Sequence, residues 1–116
     1  MARSPQEVFA AHAAALADGD IATIVEDYSP EAVLVTPHGP IRGRDGIGEF
    51  FAGALAALPQ AEFRVSLSVF AGDALLLQWS AASAHDRIID AVDTFVFAEG
   101  LIRLQTTVFR LEPGPV

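Results

Sequence analysis

Two side chains stand out as chemically capable in surroundings that are otherwise apolar. The first is His12, in the alanine-rich stretch "VFAAHAAALADGD" (residues 8–20). On a helical wheel it falls between Val8 on one side and Phe9 and Leu16 on the other, the centre of the face this helix should bury. An imidazole there serves either as an acid–base group or as a core histidine satisfied by a carbonyl or water. The second is Asp93, mid-strand in "RIIDAVDTFVFA", sharing strand parity with Ala91, Phe95 and Phe97. A carboxylate so placed costs several kcal/mol unless it is partnered or protonated. The alternative, a strand-end aspartate at a wet rim, is disfavoured by the large apolar residues flanking it on the same face.

Other polar residues with an apolar setting are Gln105 and Thr107 in the last strand segment, Thr36 before Pro37, and Tyr28 at the end of a short helical segment. Gln105 needs a partner, which a ligand carbonyl or a pocket water would supply. Trp79 shares a face with Leu75 and Leu77 and reads as core, or as a lid over a flat ligand. By strand parity Leu34 and Thr36, then Phe63, Val65 and Leu67, are expected to face inward together with Phe95.

The elements that position these residues are punctuated clearly. Ser4 is an expected N-cap, Pro5 suits the first helical turn, Glu7 completes a capping box, and Gly19 ends the helix. Asp20 caps a second helix, "DIATIVEDYSP", that is expected to stop at Pro30. "AVLVTP" is a short strand, and "HGPIRG" a turn with a stub of extended chain. A third helix is expected over about Asp45 to Leu58, with Pro59 closing it. Four long β segments follow, "AEFRVSLSVFA", "DALLLQWSAAS", "RIIDAVDTFVFA" and "LIRLQTTVFRL", joined by "GD", "AHD" and "EG". Such short connections mean antiparallel hairpins, so the expected fold is α+β: three N-terminal helices against a meander sheet, one domain over residues 1–116.

Composition narrows the function. The chain has 116 residues, 52% hydrophobic and 19% charged, which is inconsistent with disorder. Net charge is −8, every basic residue is an arginine, and the arginines are scattered. Nucleic acid and anionic membranes both require a basic stripe, so neither is expected as a partner. No apolar run approaches a membrane span, and "MARSPQEV" is not an apolar leader, so a soluble cytoplasmic protein is expected. There are no cysteines, and the three histidines lack metal-ligand spacing, so no metal is expected. "GRDGIG" is not a dinucleotide fingerprint, and there is no G-x-S-x-G elbow; no cofactor is expected. His38 in a turn and His85 at a hairpin tip read as rim and exposed residues. Both faces of the last two strands are largely apolar, while three modest helices cover only one face. A homodimer through the outer face of the sheet is therefore expected.

"AALADGDIATIVEDYSPEAVLVTPHGPIRGRDGIGEFF" followed by "VDTFVFAEGLIRLQT" resembles the SnoaL-like and ketosteroid-isomerase-like superfamily, the cone-shaped α+β fold of nuclear transport factor 2. The resemblance runs from about Pro5 to Leu111. Its motifs are the "GD…Y…P…A" junction, the "RGRDGI" helix start and the "DTFVF-x-x-G-x-I" hairpin. It implies that His12 stands in or beside the place of the isomerases' oxyanion-binding tyrosine, and that Asp93 matches its aspartic acid partner. It further implies that Thr36 replaces the isomerases' catalytic aspartate. Threonine does not accept a proton at neutral pH, so the steroid-isomerase reaction in its family form is not expected. SnoaL-type cyclases carry a His and an Asp where this chain has Gln105 and Thr107, and Asp90 has the wrong parity to join Arg87 and Asp93 in an epoxide-hydrolase set. What remains is a His12–Asp93 hydrogen bond across an apolar cone. The implied function is proton-transfer chemistry (isomerisation, cyclisation or hydration) on an apolar organic molecule, with Tyr28, Thr36, Trp79, Phe95, Gln105 and Thr107 as pocket contacts. A non-catalytic binding or dimerisation module of the same fold is the alternative.

Overall fold

The computed structural model describes residues 2–114. The elements are α1 (Pro5–Asp18), α2 (Ile21–Glu26), β1 (Tyr28–Thr36), β2 (Gly39–Arg42), α3 (Gly43–Ala57), β3 (Glu62–Ala71), β4 (Ala74–Ala82), β5 (Asp86–Ala98) and β6 (Leu101–Pro113). The expected caps form. Ser4 accepts from the Glu7 amide at 3.1 Å while the Glu7 carboxylate accepts from the Ser4 amide at 2.8 Å. Gly19 takes the left-handed conformation that closes α1, and Asp20 caps α2 through Thr23. The second helix is shorter than its sequence suggests. It stops at Glu26, and Tyr28 to Pro30 already belong to β1. The third helix starts earlier, at Gly43.

All six strands form one sheet, ordered β2-β1-β6-β5-β4-β3. The β3–β4–β5–β6 meander is antiparallel, as the short turns require. Beside it β1 runs parallel to β6, tying the N-terminal half to the last strand. The main core joins Val8, Ile24, Tyr28, Leu34, Ile47, Phe51, Leu75, Phe95 and Ile102 between helices and sheet. Fully burying such side chains contributes about 1.5–3 kcal/mol each.

Irregularities in the ladders reassign several residues. Asp90 adopts φ 56°, and the β5–β6 register shifts between Ile89 and Val92. This bulge turns Ile88 inward, onto the same face as Ala91, Asp93, Phe95 and Phe97, and leaves Ile89 exposed, whereas unbroken alternation back from Ala91 would put Ile89 inside and Ile88 outside. A second shift, at Arg103, puts Ile102 on the inner face with Gln105 and Thr107. A third, at Ser66, turns Leu67 outward, against expectation, while Phe63 and Val65 stay on the cavity side.

The outer face keeps an apolar surface. Cross-strand pairing aligns Val69 with Leu76, and Leu67, Gln78, Val92 and Val108 in one row. Val108 is 61% exposed and Val69 50%.

Candidate active site

Between α1, α3 and the inner face of the sheet lies a cavity of about 110 Å³. Its walls are Phe9, His12 and Leu16 of α1, Phe50, Phe51, Ala54 and Leu55 of α3, and strand residues including Val65, Leu77, Trp79, Phe95 and Phe109. The strand order brings Asp93, Gln105 and Thr107 into the same wall. Phe63 and Val65 are 36% and 49% exposed, which makes the β3 edge the mouth. An adjoining depression is lined by Leu16, Leu55, Leu58 and Phe63, which it shares with the cavity, and by Asp18.

Asp93 is only 4% exposed and is held from β6. Thr107, its direct cross-strand neighbour, donates to Oδ1 at 2.6 Å, and Gln105 Nε2 donates to Oδ2 at 2.9 Å. An ionised carboxylate only accepts, so it orients the Gln105 amide with its nitrogen inward. The Gln105 carbonyl then accepts from the Tyr28 hydroxyl. Tyr28 is fully buried behind the cavity wall and touches Asp93 only through Gln105. The Trp79 indole is near enough to favour the charged form of Asp93, although its Nε1 has no partner in hydrogen-bond geometry.

Burial raises the affinity of Asp93 for protons, and the hydrogen bonds from Thr107 and Gln105, with the nearby Trp79 indole, oppose that shift. Burial, followed by the charges of Asp93 and Asp27, pushes the Tyr28 phenol up, so it remains a hydrogen-bond donor at neutral pH.

The expected His12–Asp93 hydrogen bond is not formed. His12 lines the cavity but packs edge-on against Tyr28, Phe51 and Phe95, with ring centroids 5.5–5.8 Å away. Its Nδ1 is buried without a partner, and burial lowers its pKa to about 4. The imidazole is neutral at pH 7. The ladder register sets Thr107 and Gln105 beside Asp93, so β6 supplies its two hydrogen bonds, while the His12 ring is held among Tyr28, Phe51 and Phe95.

Thr36 is also corrected. Its hydroxyl donates to the Gly39 carbonyl at 3.0 Å and accepts from the His38 amide at 3.1 Å, so it clamps the β1–β2 turn and does not line the cavity. His38 and His85 are exposed. Trp79, Phe95, Gln105 and Thr107 line the cavity, whereas Tyr28 does not. The helical period marks Phe50, Phe51 and Leu55 only as an apolar face, and Ile88 enters the cavity only through the Asp90 bulge. Among the described residues no group of three His, Asp or Glu is placed to hold a metal ion, and no helix is long and apolar enough to cross a membrane.

Helices laid over a bulged six-stranded sheet around an apolar hollow define a cystatin-like, nuclear transport factor 2-like fold. The model of the SnoaL-like domain matches residues 9–105, and the chain belongs to that family. Solved structures agree. IdmH from Streptomyces antibioticus, described as a candidate polyketide cyclase, is 19% identical, with TM-score 0.78 and 92% of each chain covered. A candidate polyketide cyclase from Sinorhizobium meliloti is 16% identical, with TM-score 0.77 over 87% of this chain and 93% of that one. A cystatin-fold protein from Novosphingobium aromaticivorans is 19% identical, with TM-score 0.78 over 90% and 97%. No functionally curated protein matches the sequence.

Proposed function

We propose that the protein binds a small apolar organic molecule in this cavity and moves a proton on it through Asp93, as isomerisation, cyclisation or hydration would require. The observation that carries the reading is a single carboxyl, raised in proton affinity by burial, in the wall of a largely apolar hollow. A raised carboxyl is a stronger base when ionised and is closer to neutral pH as an acid. Gln105 and Thr107 fix its plane, and Tyr28 is a positioning residue acting through Gln105. His12, which lines the same cavity, is a second polar contact for the ligand rather than a group activated by Asp93. Trp79 and Phe95 supply flat apolar walls. The candidate polyketide cyclases among the similar folds are consistent with chemistry of this kind.

The test is hydrogen–deuterium exchange, followed by NMR, at the carbon beside the carbonyl of phenylacetone, one apolar ring bearing an acidic C–H. The protein should accelerate exchange, and Asp93→Asn should remove the acceleration. Equal rates for the two proteins would sink the catalytic reading and leave a binding module.

We further propose that the outer sheet face pairs with a second copy of the chain. Val69, Leu76, Val92 and Val108 form an exposed apolar surface there, larger than isolated exposed residues account for.

A further inference from the structure

We infer that the cavity takes a cationic amine carried on one apolar ring, its ammonium seated against the Asp93 carboxylate. The inference rests on the cavity being a ligand site and specifies the charge of its ligand.

Among the described residues the hollow holds a carboxyl and no countercharge. None of them that lines the cavity or the depression at its mouth is an arginine, and the chain has no lysine. The ion pairs among the described residues, Arg3–Asp27 and Arg87–Glu112, lie outside both. Every titratable group packed about Asp93 leaves its charge unmatched: His12 of α1 is neutral at pH 7, and Tyr28 of β1 stays a phenol. The facing residues of β4 and α3, Leu77, Trp79 and Phe51, do not titrate. Gln105 and Thr107 each give one hydrogen bond, while a carboxylate offers about four lone-pair sites, so acceptor capacity remains for an incoming N–H.

The remaining wall suits the same ligand. Phe9, Phe50, Phe51, Trp79, Phe95 and Phe109 present aromatic surface, and ring faces attract an ammonium where water is excluded. Asp18 is the one charged residue lining the outer depression, so carboxylates mark the route from mouth to floor. A net charge of −8 favours the approach of cations. The cavity measures about 110 Å³ and opens into the depression at its mouth, and an engineered apolar cavity of roughly 150 Å³ accommodates benzene, so no more than one ring is accommodated.

Three probes of nearly equal shape separate charge from shape: 2-phenylethylamine, 2-phenylethanol and phenylacetate. Trp79 is the only tryptophan and lines the cavity, so its fluorescence reports occupancy; calorimetry confirms the affinities. At pH 7.5 the amine should bind at least about tenfold more tightly than the alcohol, and phenylacetate most weakly. Asp93→Asn should abolish the amine's advantage over the alcohol, and an unaltered circular dichroism spectrum shows that the variant is folded. In the unaltered protein, acidification that protonates Asp93 should weaken the amine and not the alcohol. Alcohol binding as tight as the amine, or no amine binding, overturns the inference. Loss of the amine with retention of the alcohol leaves the proton-transfer reading standing. Amine binding without carbon–hydrogen exchange removes that reading alone.

Discussion

Gln105 Nε2 lies 2.9 Å from Asp93 Oδ2 while the Gln105 carbonyl accepts from the Tyr28 hydroxyl, so one amide couples a buried phenol to the carboxyl of the cavity. Gln105→Leu, similar in size, strands both ends of that chain. Leaving a buried donor or acceptor unsatisfied costs about 1–3 kcal/mol, more for a charged group. Urea denaturation should therefore show a loss of roughly 2–4 kcal/mol. A loss below about 0.5 kcal/mol, the size of an ordinary surface substitution, would show that the chain of hydrogen bonds contributes little.

His12 should make the fold acid-labile. Its pKa falls from an ordinary 6.5 to about 4 because the buried ring disfavours charge. The unfolded chain then binds more protons between those values, so stability is fully present above about pH 6.5 and is lost as pH falls through about 4. The full effect is roughly 3 kcal/mol. His12→Leu should flatten this loss; an unchanged pH profile in the variant would mean that the ring titrates normally.

Asp93 acts in the opposite sense. Its folded-state pKa is raised, so the folded protein holds a proton that the unfolded chain has already released. Stability relative to Asp93→Asn should decline as pH rises from about 4, the unfolded value, through the raised one. Comparing the two proteins by thermal unfolding across this range separates the term from that of His12. A gap between them that widens in favour of the native protein with rising pH would falsify the assignment.

The bulge at Asp90 should be sensitive to side-chain shape. At φ 56° aspartate is tolerated, whereas a β-branched residue is strained. Asp90→Val should destabilise by about 1–3 kcal/mol and perturb Trp79 fluorescence, because the register that sets Ala91 opposite Trp79 and Asp93 in the wall is lost. Asp90→Gly should be close to neutral.

Sedimentation velocity tests the outer face. The native chain should sediment as a dimer at micromolar concentration, and Val69→Glu with Val108→Glu as a monomer with an unaltered circular dichroism spectrum. A monomeric native chain removes the dimer proposal.

Much of the architecture was legible in the linear chain because its determinants are local. Ser4, Glu7, Gly19 and Asp20 bracket the first helices through contacts within a few residues, and the tight turns after Ala71 and Ala98 admit only antiparallel hairpins. Alternation also identified Asp93 as a carboxyl on an apolar face. What it did not reveal was the partner. Counting back from the Ala98–Leu101 turn sets Asp93 opposite Thr106; the extra residue at Arg103 moves it opposite Thr107 and brings Gln105 inward. The same kind of one-residue step, at Asp90 and Ser66, exchanged Ile88 for Ile89 and expelled Leu67. A bulge flips every later side chain to the other face, and neither composition nor period records where one occurs. The sequence thus determined that a buried carboxyl exists; only the folded sheet decided that Gln105 and Thr107, rather than His12, satisfy it, because hydrogen-bond partners are chosen by ladder register and not by residue type.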